Sequence, residues 1–135
     1  MSYADWMREG YARYSSGDLA FADEFFAPEI RWRVPGPQGE IVGVEGVKAF
    51  FAGLGEMFSA HRIELLASVE SADALWCRVR HTFTRHDGSA HQVEAVHMWG
   101  IVGGKAASMD EVADTLAFAI AAGMIPAEAL AGIPG

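Results

Sequence analysis

The chain is 135 residues long, with 51% hydrophobic residues, 21% charged residues and a formal net charge of −8. This length suits one domain with its own core, and the composition is typical of a globular protein rather than a disordered one. An acidic chain without a lysine or arginine cluster matches neither nucleic acid nor an anionic membrane surface, so we expect neither as a partner.

Cysteine content and the N-terminal sequence indicate the cellular compartment. Cys77 is the only cysteine, which excludes a disulfide within the chain and is typical of the reducing cytoplasm. The first ten residues carry acidic side chains and lack the apolar stretch of a signal peptide. The longest apolar run, residues 116–126, is too short to cross a bilayer. We therefore expect a cytoplasmic protein.

Apolar residues at helical spacing predict helices at residues 3–14, 19–26, 44–58 and 115–123. Ser2 is a suitable N-cap for the first helix, and Asp18 is the predicted cap of the second. Three glycines reduce the expected regularity of the third helix: Gly46, Gly53 and Gly55.

Strand-like composition between turn residues predicts strands at residues 29–34, 41–43, 62–70, 74–86, 91–102 and 105–113. Three helices followed by an antiparallel meander are typical of the α+β class, with helices covering one face of a curved sheet. We expect one domain over residues 1–135, with its core at about 3–123. A tail of small residues and prolines follows at 124–135.

The segment WCRVRHTF, residues 76–83, alternates apolar and polar residues as a strand with one buried face does. Cys77, Val79 and Phe83 form the apolar set, and the ionisable His81 lies among them. An ionisable ring on the dry side of a strand is either a packed, hydrogen-bonded core residue or part of a functional pocket.

The loop that follows this strand sets its pairing with the next one. A three-residue loop at 86–88 pairs Arg85 with Ser89, which puts Cys77 opposite His97 and His81 opposite Val93. A two-residue loop would instead put His81 beside a glutamate. The first register is preferred because it joins two apolar faces. Two histidines and a tryptophan (His81, His97 and Trp99) then share one apolar surface.

Two segments resemble the SnoaL-like domain. In EIRWRVPGPQGEIVGVEGVKAFFAGLGEMF, residues 29–58, a tryptophan strand, a Pro-Gly turn, a glycine and a helix with paired phenylalanines follow one another. In GGKAASMDEVADTLAF, residues 103–118, a Gly-Lys turn leads to a terminal aspartate and a closing helix, like the family's last strand. SnoaL-like domains belong to the nuclear transport factor 2-like superfamily, together with ketosteroid isomerases, limonene epoxide hydrolase, polyketide cyclases and non-enzymatic members.

The resemblance implies a cone-shaped α+β barrel of cystatin-like topology, with three N-terminal helices packed on a curved, mostly antiparallel sheet. It also implies a pocket between the helices and the concave sheet face, and often a dimer through the other face. Asp114 matches the aspartate that ends the last strand of limonene epoxide hydrolase and acts as base toward a water. Val112 and Ala113 replace an aromatic pair there. The isomerase base on the first strand has no counterpart at residues 32–35, and its second acid aligns near His97.

Candidate catalytic residues are therefore His81 and Asp114 first, and His97 second. The alternative roles are a packed imidazole ring for either histidine and an N-cap for Asp114. The candidate substrate-binding residues are apolar or aromatic and share the predicted pocket: Trp32, Trp99, Cys77, Val79 and Phe51.

A zinc site at Cys77 and His97, with His81 nearby, is a weaker hypothesis. Zinc sites need three or four converging ligands, and a cross-strand pair is poor evidence for one. No phosphate loop, nucleophile elbow or haem motif is present. We therefore expect neither a metal nor an organic cofactor.

The expected function is binding of a small apolar metabolite, with general acid/base isomerisation, cyclisation or hydrolysis if the protein is an enzyme. The alternative is a non-catalytic ligand-binding or dimerisation module with structural histidines. Trp76, Val96 and Met98 fall on the sheet face opposite the histidines, and such an apolar strip predicts a homodimer through that face.

Overall fold

The structure, a computed structural model, describes residues 2–134. Within these residues the chain forms four α-helices and one short 3₁₀ helix: α1 (Tyr3–Ser15), α2 (Phe21–Phe25), α3 (Val44–Met57), α4 (Thr115–Ala121) and the 3₁₀ helix Ala127–Leu130. The strands in the same range are β1 (Phe26–Arg33), β2 (Glu40–Val42), β3 (Ala60–Glu70), β4 (Ala74–Thr84), β5 (Ala90–Val102) and β6 (Lys105–Ala113). No helix within residues 2–134 combines the length and the apolar character that crossing a membrane requires.

The strands form one sheet in the order β2-β1-β6-β5-β4-β3. Strands β3 to β6 are an antiparallel meander, and β1 joins it by pairing in parallel with β6. The predicted α+β class and the mostly antiparallel sheet are confirmed. The predicted barrel is wrong in one respect: β2 and β3 are free edges, so the sheet is open.

Helices α1 and α3 lie on the sheet face that carries the odd-numbered residues of β4 and β5, which we call the inner face. A single apolar cluster joins them to it, and Trp32, Phe51 and Trp99 are among its buried members. In α1 the residues Tyr11 and Tyr14 are both buried. Residues three apart share one side of a helix, so both phenols are directed toward the sheet.

The predicted register between β4 and β5 is confirmed. The Arg85 amide donates to the Ser89 carbonyl over 2.8 Å, and the ladder pairs Cys77 with His97 and His81 with Val93. This ladder is continuous from end to end, so the alternation of apolar and polar residues in the sequence is preserved in the structure.

The neighbouring ladders each contain a β-bulge. Between β5 and β6 the register shifts after Ile101–Ala106, so that Gly100 pairs with Ser108 and His97 with Glu111. Between β3 and β4 a shift occurs between Leu65 and Ala67. Because side chains alternate between the two faces, each one-residue shift reverses which residues of that strand face inward.

The helix ends follow local hydrogen-bonding rules with one difference from expectation. Ser2 caps α1 by accepting from the Asp5 amide, as predicted. Asp18 lies two residues before the N-cap of α2 and accepts instead from the Ala20 amide over 3.1 Å. Helix α2 is also shorter than predicted, because the chain is already extended at Phe26, where β1 begins.

Two glycines of the α3 region are expected to respond in opposite directions to substitution by alanine. Gly43, the N-cap of α3, has φ +97°, a conformation that strains an L-residue, so Gly43→Ala should lower stability by about 1–2 kcal/mol. Gly53 lies inside α3 with open space around its Cα, so Gly53→Ala should raise stability by about 0.5–1 kcal/mol. Thermal melts of the two variants test this. A higher melting temperature for Gly43→Ala than for Gly53→Ala would contradict it.

Candidate active site

A cavity of about 110 Å³ lies between α1, α3 and the inner face of the sheet. Its walls are mostly aromatic and aliphatic, and they include Trp32, Phe51 and Trp99. Among the described residues that line it, Glu111 is the only aspartate, glutamate, lysine or arginine. An ionised carboxylate in such surroundings requires hydrogen-bond donors.

Most of the residues predicted for the site share this cavity. His81 and His97 line it together with Trp32, Trp99 and Phe51. Cys77 and Val79 are fully buried on the same strand face but are not among the lining residues.

Asp114 lies outside the cavity lining. It is exposed and is the N-cap of α4, where its Oδ1 accepts from the Ala117 amide over 3.0 Å. Three residues earlier on β6, Glu111 lines the cavity instead. The structure therefore places Asp114 in the cap position that the sequence offered as its alternative role.

Glu111 Oε2 accepts hydrogen bonds from two imidazole rings. His97 Nε2 lies 2.6 Å away and His81 Nε2 lies 2.8 Å away. All three side chains are strongly buried, with the carboxylate side chain only 11% exposed. His97 stands directly opposite Glu111 in the β5–β6 ladder, and His81 comes from β4 on the other side of β5.

From His97 the hydrogen bonds continue to helix α1. His97 Nδ1 lies 2.8 Å from the Tyr11 hydroxyl, and the same hydroxyl oxygen accepts from Trp99 Nε1 over 3.0 Å. A second branch leads from His81, whose Nδ1 lies 2.7 Å from His61 Nε2 on β3. His61 Nδ1 in turn lies 2.6 Å from the Tyr14 hydroxyl. We call this continuous set the histidine–glutamate chain: Trp99, Tyr11, His97, Glu111, His81, His61 and Tyr14.

The partners assign a direction to every bond in the chain when the rings are neutral. A carboxylate only accepts, so His81 and His97 carry their protons on Nε2 and present Nδ1 as acceptor. The Tyr11 hydroxyl then donates a hydrogen bond to His97 Nδ1. His61 Nε2 donates to His81, and His61 Nδ1 accepts from the Tyr14 hydroxyl. Both branches therefore direct their protons toward Glu111.

Burial and hydrogen bonding oppose each other in setting the charges. Burial acts to raise the pKa of Glu111, but the hydrogen bonds from His81 and His97 outweigh it, and its pKa lies well below the usual range. Burial lowers the pKa of His97 and lowers that of His61 much further. Burial also raises the pKa values of Tyr11 and Tyr14. These shifts favour the ionised form of Glu111 and the neutral forms of His97 and His61.

Sequence reasoning missed four members of the chain: Glu111, His61, Tyr11 and Tyr14. The two tyrosines carried a usable signal, because their spacing placed both on the buried side of α1. Glu111 and His61 carried none, because each lies beyond a bulge that reverses the alternation of its own strand.

The fold and sequence define the protein's family. The family model for the SnoaL-like domain matches residues 7–109, and the chain belongs to this family of the nuclear transport factor 2-like superfamily. No functionally curated protein matches the sequence.

Solved structures share the fold. TerC, co-crystallised with polyporic acid, matches with a TM-score of 0.77 and 24% identity over 84% of this chain and 92% of its own. IdmH, a candidate polyketide cyclase from Streptomyces antibioticus, matches with a TM-score of 0.79 and 17% identity over 91% of this chain and 99% of its own. Bal32a, from a soil-derived mobile gene cassette, matches with a TM-score of 0.76 and 26% identity over 85% of this chain and 92% of its own.

The depressed pKa values predict that stability falls on acidification. Below the ordinary histidine pKa of 6.5 the unfolded chain binds more protons than the folded one, because the pKa values of His61 and His97 are lowered by burial. Stability is therefore fully present above about pH 6.5 and is lost below it, by at most about 1.4 kcal/mol per pH unit for each ring.

Thermal melts at pH 7.5 and 5.5 measure this, and we expect a drop of roughly 5 °C or more. The double variant His86→Gln/His91→Gln is the control. It removes two histidines that do not line the cavity and should retain the drop. A melting temperature that is unchanged or higher at pH 5.5 would contradict the assignment.

Proposed function

We propose that this SnoaL-like protein binds a small, uncharged, largely apolar molecule in the cavity and transfers a proton on it without a cofactor. The observation that carries the proposal is the position of Glu111, which lines an apolar cavity and accepts bonds from two histidines through Oε2. Its other oxygen, Oε1, has no hydrogen bond within residues 2–134, so it has lone pairs available for a ligand.

The chemistry that suits this geometry begins at an acidic C–H beside a carbonyl group. Glu111 Oε1 takes the proton, and the electron pair of the broken C–H bond forms an enolate. Return of the proton to another carbon completes an isomerisation. Alternatively, attack of the enolate on a second carbonyl closes a ring, and the new alkoxide takes the proton back from Glu111. Imidazole and carboxylate groups placed in this way contribute about 10²–10⁴-fold to such steps.

The depressed pKa of Glu111 in the free protein weakens it as a base, and ligand binding acts against this. An apolar ligand excludes water from the cavity, and burial already acts to raise the pKa of this carboxylate. The bound state therefore brings the base closer to the pKa at which proton transfer is efficient.

Trp32 supports a ligand that carries an oxygen. It lines the cavity, and its Nε1 is buried without a hydrogen-bond partner among the described residues. An unpaired buried donor costs about 1–3 kcal/mol. A ligand carbonyl would satisfy it, which agrees with a ketone or quinone as substrate class.

Glu111 on β6 and Asp114, just after the end of β6, provide the test. Deuterium incorporation into 2-tetralone, an uncharged bicyclic ketone, is followed by NMR in heavy water containing a chelator. Glu111→Gln should slow protein-catalysed exchange by about 10²-fold or more. Asp114→Asn should leave it unchanged, because asparagine also caps helices. Loss of exchange in Asp114→Asn with full activity in Glu111→Gln would restore Asp114 as the base.

The second candidate function is a non-catalytic ligand-binding module. It is favoured by the hydrogen bonding of every histidine ring nitrogen in the histidine–glutamate chain, which satisfies the rings without a ligand. 2-Tetralone, the uncharged ketone of the exchange test, also serves as the binding probe, because the tryptophans at the cavity report on it by fluorescence. Binding without exchange on any ketone would select this function.

We also propose that the protein is a homodimer through the outer sheet face. Trp76, Val69 and Val112 are 52%, 69% and 64% exposed there. Val96 and Met98 lie between them in the ladders and are half-buried. An exposed apolar strip of this kind favours an interface.

Light scattering at micromolar concentration should give twice the chain mass for the wild type. Trp76→Glu should give the monomer, because a carboxylate in the centre of the interface has no partner. Met124→Glu, a change at an apolar residue 66% exposed in the tail, is the matched control and should remain dimeric. A monomeric wild type would refute the interface.

A further inference from the structure

We propose that His81, His97 and Glu111 form a binding site for one divalent transition-metal ion of the zinc and ferrous class. The inference goes beyond the proposed function and does not rest on it. One ring nitrogen of each histidine and a carboxylate oxygen of Glu111 all lie within 4.8 Å of one another. Two histidines with one carboxylate are a ligand set that such ions accept, and a fourth position is then left for water or substrate.

The geometry is close to what an ion requires. Ligand atoms about 2.0–2.1 Å from a tetrahedral ion lie about 3.3 Å from one another. The present separations from Glu111 Oε2 are 2.8 Å to His81 and 2.6 Å to His97. An opening of about 0.5 Å at His81 and about 0.7 Å at His97 makes room for the ion. The three ligands come from adjacent strands and line the cavity, so the open position faces the space where a small molecule binds.

The groups behind the histidines suit a metal site as well as they suit the metal-free chain. A ligating Nε2 gives up its proton, and Nδ1 then carries one and needs an acceptor. His81 Nδ1 has His61 Nε2 at 2.7 Å, and His97 Nδ1 has the Tyr11 oxygen at 2.8 Å. The phenol oxygen accepts from His97 and Trp99 together through its two lone pairs. The bonds of His81 to His61 and of His97 to Tyr11 serve both states with the donor and acceptor exchanged, and Trp99 donates to Tyr11 in both.

The ion takes the Glu111 Oε2 lone pairs that accept from the histidines, whereas the proposed base is the other oxygen of the same carboxylate, Oε1. An ion held by Glu111 and both histidines replaces the two hydrogen bonds that now hold the carboxylate. The metal-bound protein is therefore a second state of the site, in which the charge of the ion lowers the basicity of Glu111 Oε1 and an oxygen-bearing ligand coordinates the ion. Cys77, the cysteine considered for zinc from the sequence, is not a member of this cluster.

Cobalt(II) is the probe, because its visible absorption reports coordination by protein ligands without turnover or an organic ligand. Protein freed of metal with a chelator should bind one Co²⁺ per chain saturably, and Zn²⁺ should displace it. Glu111→Gln and His97→Gln should each weaken binding by at least about 100-fold. Tyr11→Phe, which removes a supporting partner, should weaken it by about 10–100-fold.

The control is His86→Gln/His91→Gln, which removes hairpin histidines outside the cluster and should leave the spectrum unchanged. Circular dichroism verifies that each variant is folded, and His81→Gln replaces any cluster variant that is not. The proposal is overturned if the wild type shows no saturable cobalt band. It is equally overturned if the band survives the cluster substitutions or disappears in the hairpin control. Ketone exchange in chelated protein is measured separately, so the two proposals fail independently.

Discussion

A carboxylate inside an apolar cavity must be matched by hydrogen-bond donors, and the architecture around Glu111 satisfies this requirement. An unpaired buried charge costs several kcal/mol, whereas a hydrogen bond to a charged group contributes about 1.5–3 kcal/mol. The bonds from His81 and His97 are therefore of the size needed to keep the anion in place. Because both rings are buried away from water, the second nitrogen of each ring also needs a hydrogen-bond partner. Helix α1 supplies the partner of His97, and strand β3 supplies the partner of His81.

This requirement links elements that are far apart in the chain. Tyr11 and Tyr14 belong to the first helix, yet they complete the two branches that begin on the last strand. Packing of α1 on the sheet thus sets the proton positions at Glu111 as well as burying apolar surface. A ligand or an ion at the carboxylate would in turn change the hydrogen bonds of Tyr11 and Tyr14 on α1, because every bond of each branch points toward Glu111.

The sequence predicted the fold class, the β4–β5 register and the histidines of those two strands, because that ladder is regular and one of its faces is apolar. It did not predict the carboxylate. In a regular ladder that starts at the β5–β6 turn, His97 would pair with Asp110 and the Glu111 side chain would lie on the outer face. The bulge in β6 moves the register by one residue and reverses this, and the bulge in β3 does the same for His61. A bulge depends on tertiary packing and leaves no mark in a two-residue alternation.

The chemistry of the site depends on protons that point toward Glu111 from both branches, and nitrogen NMR of the histidine side chains measures this directly. In metal-free protein at pH 7.5, His61 and His97 should be neutral, with the proton on Nε2 and a non-protonated Nδ1, and His81 should carry a proton on Nε2. Glu111→Gln should alter the rings of His81 and His97 first, because they contact the substituted side chain. A His97 ring protonated on Nδ1, or a charged His61 or His97 ring at this pH, would contradict the proposed direction of the hydrogen bonds.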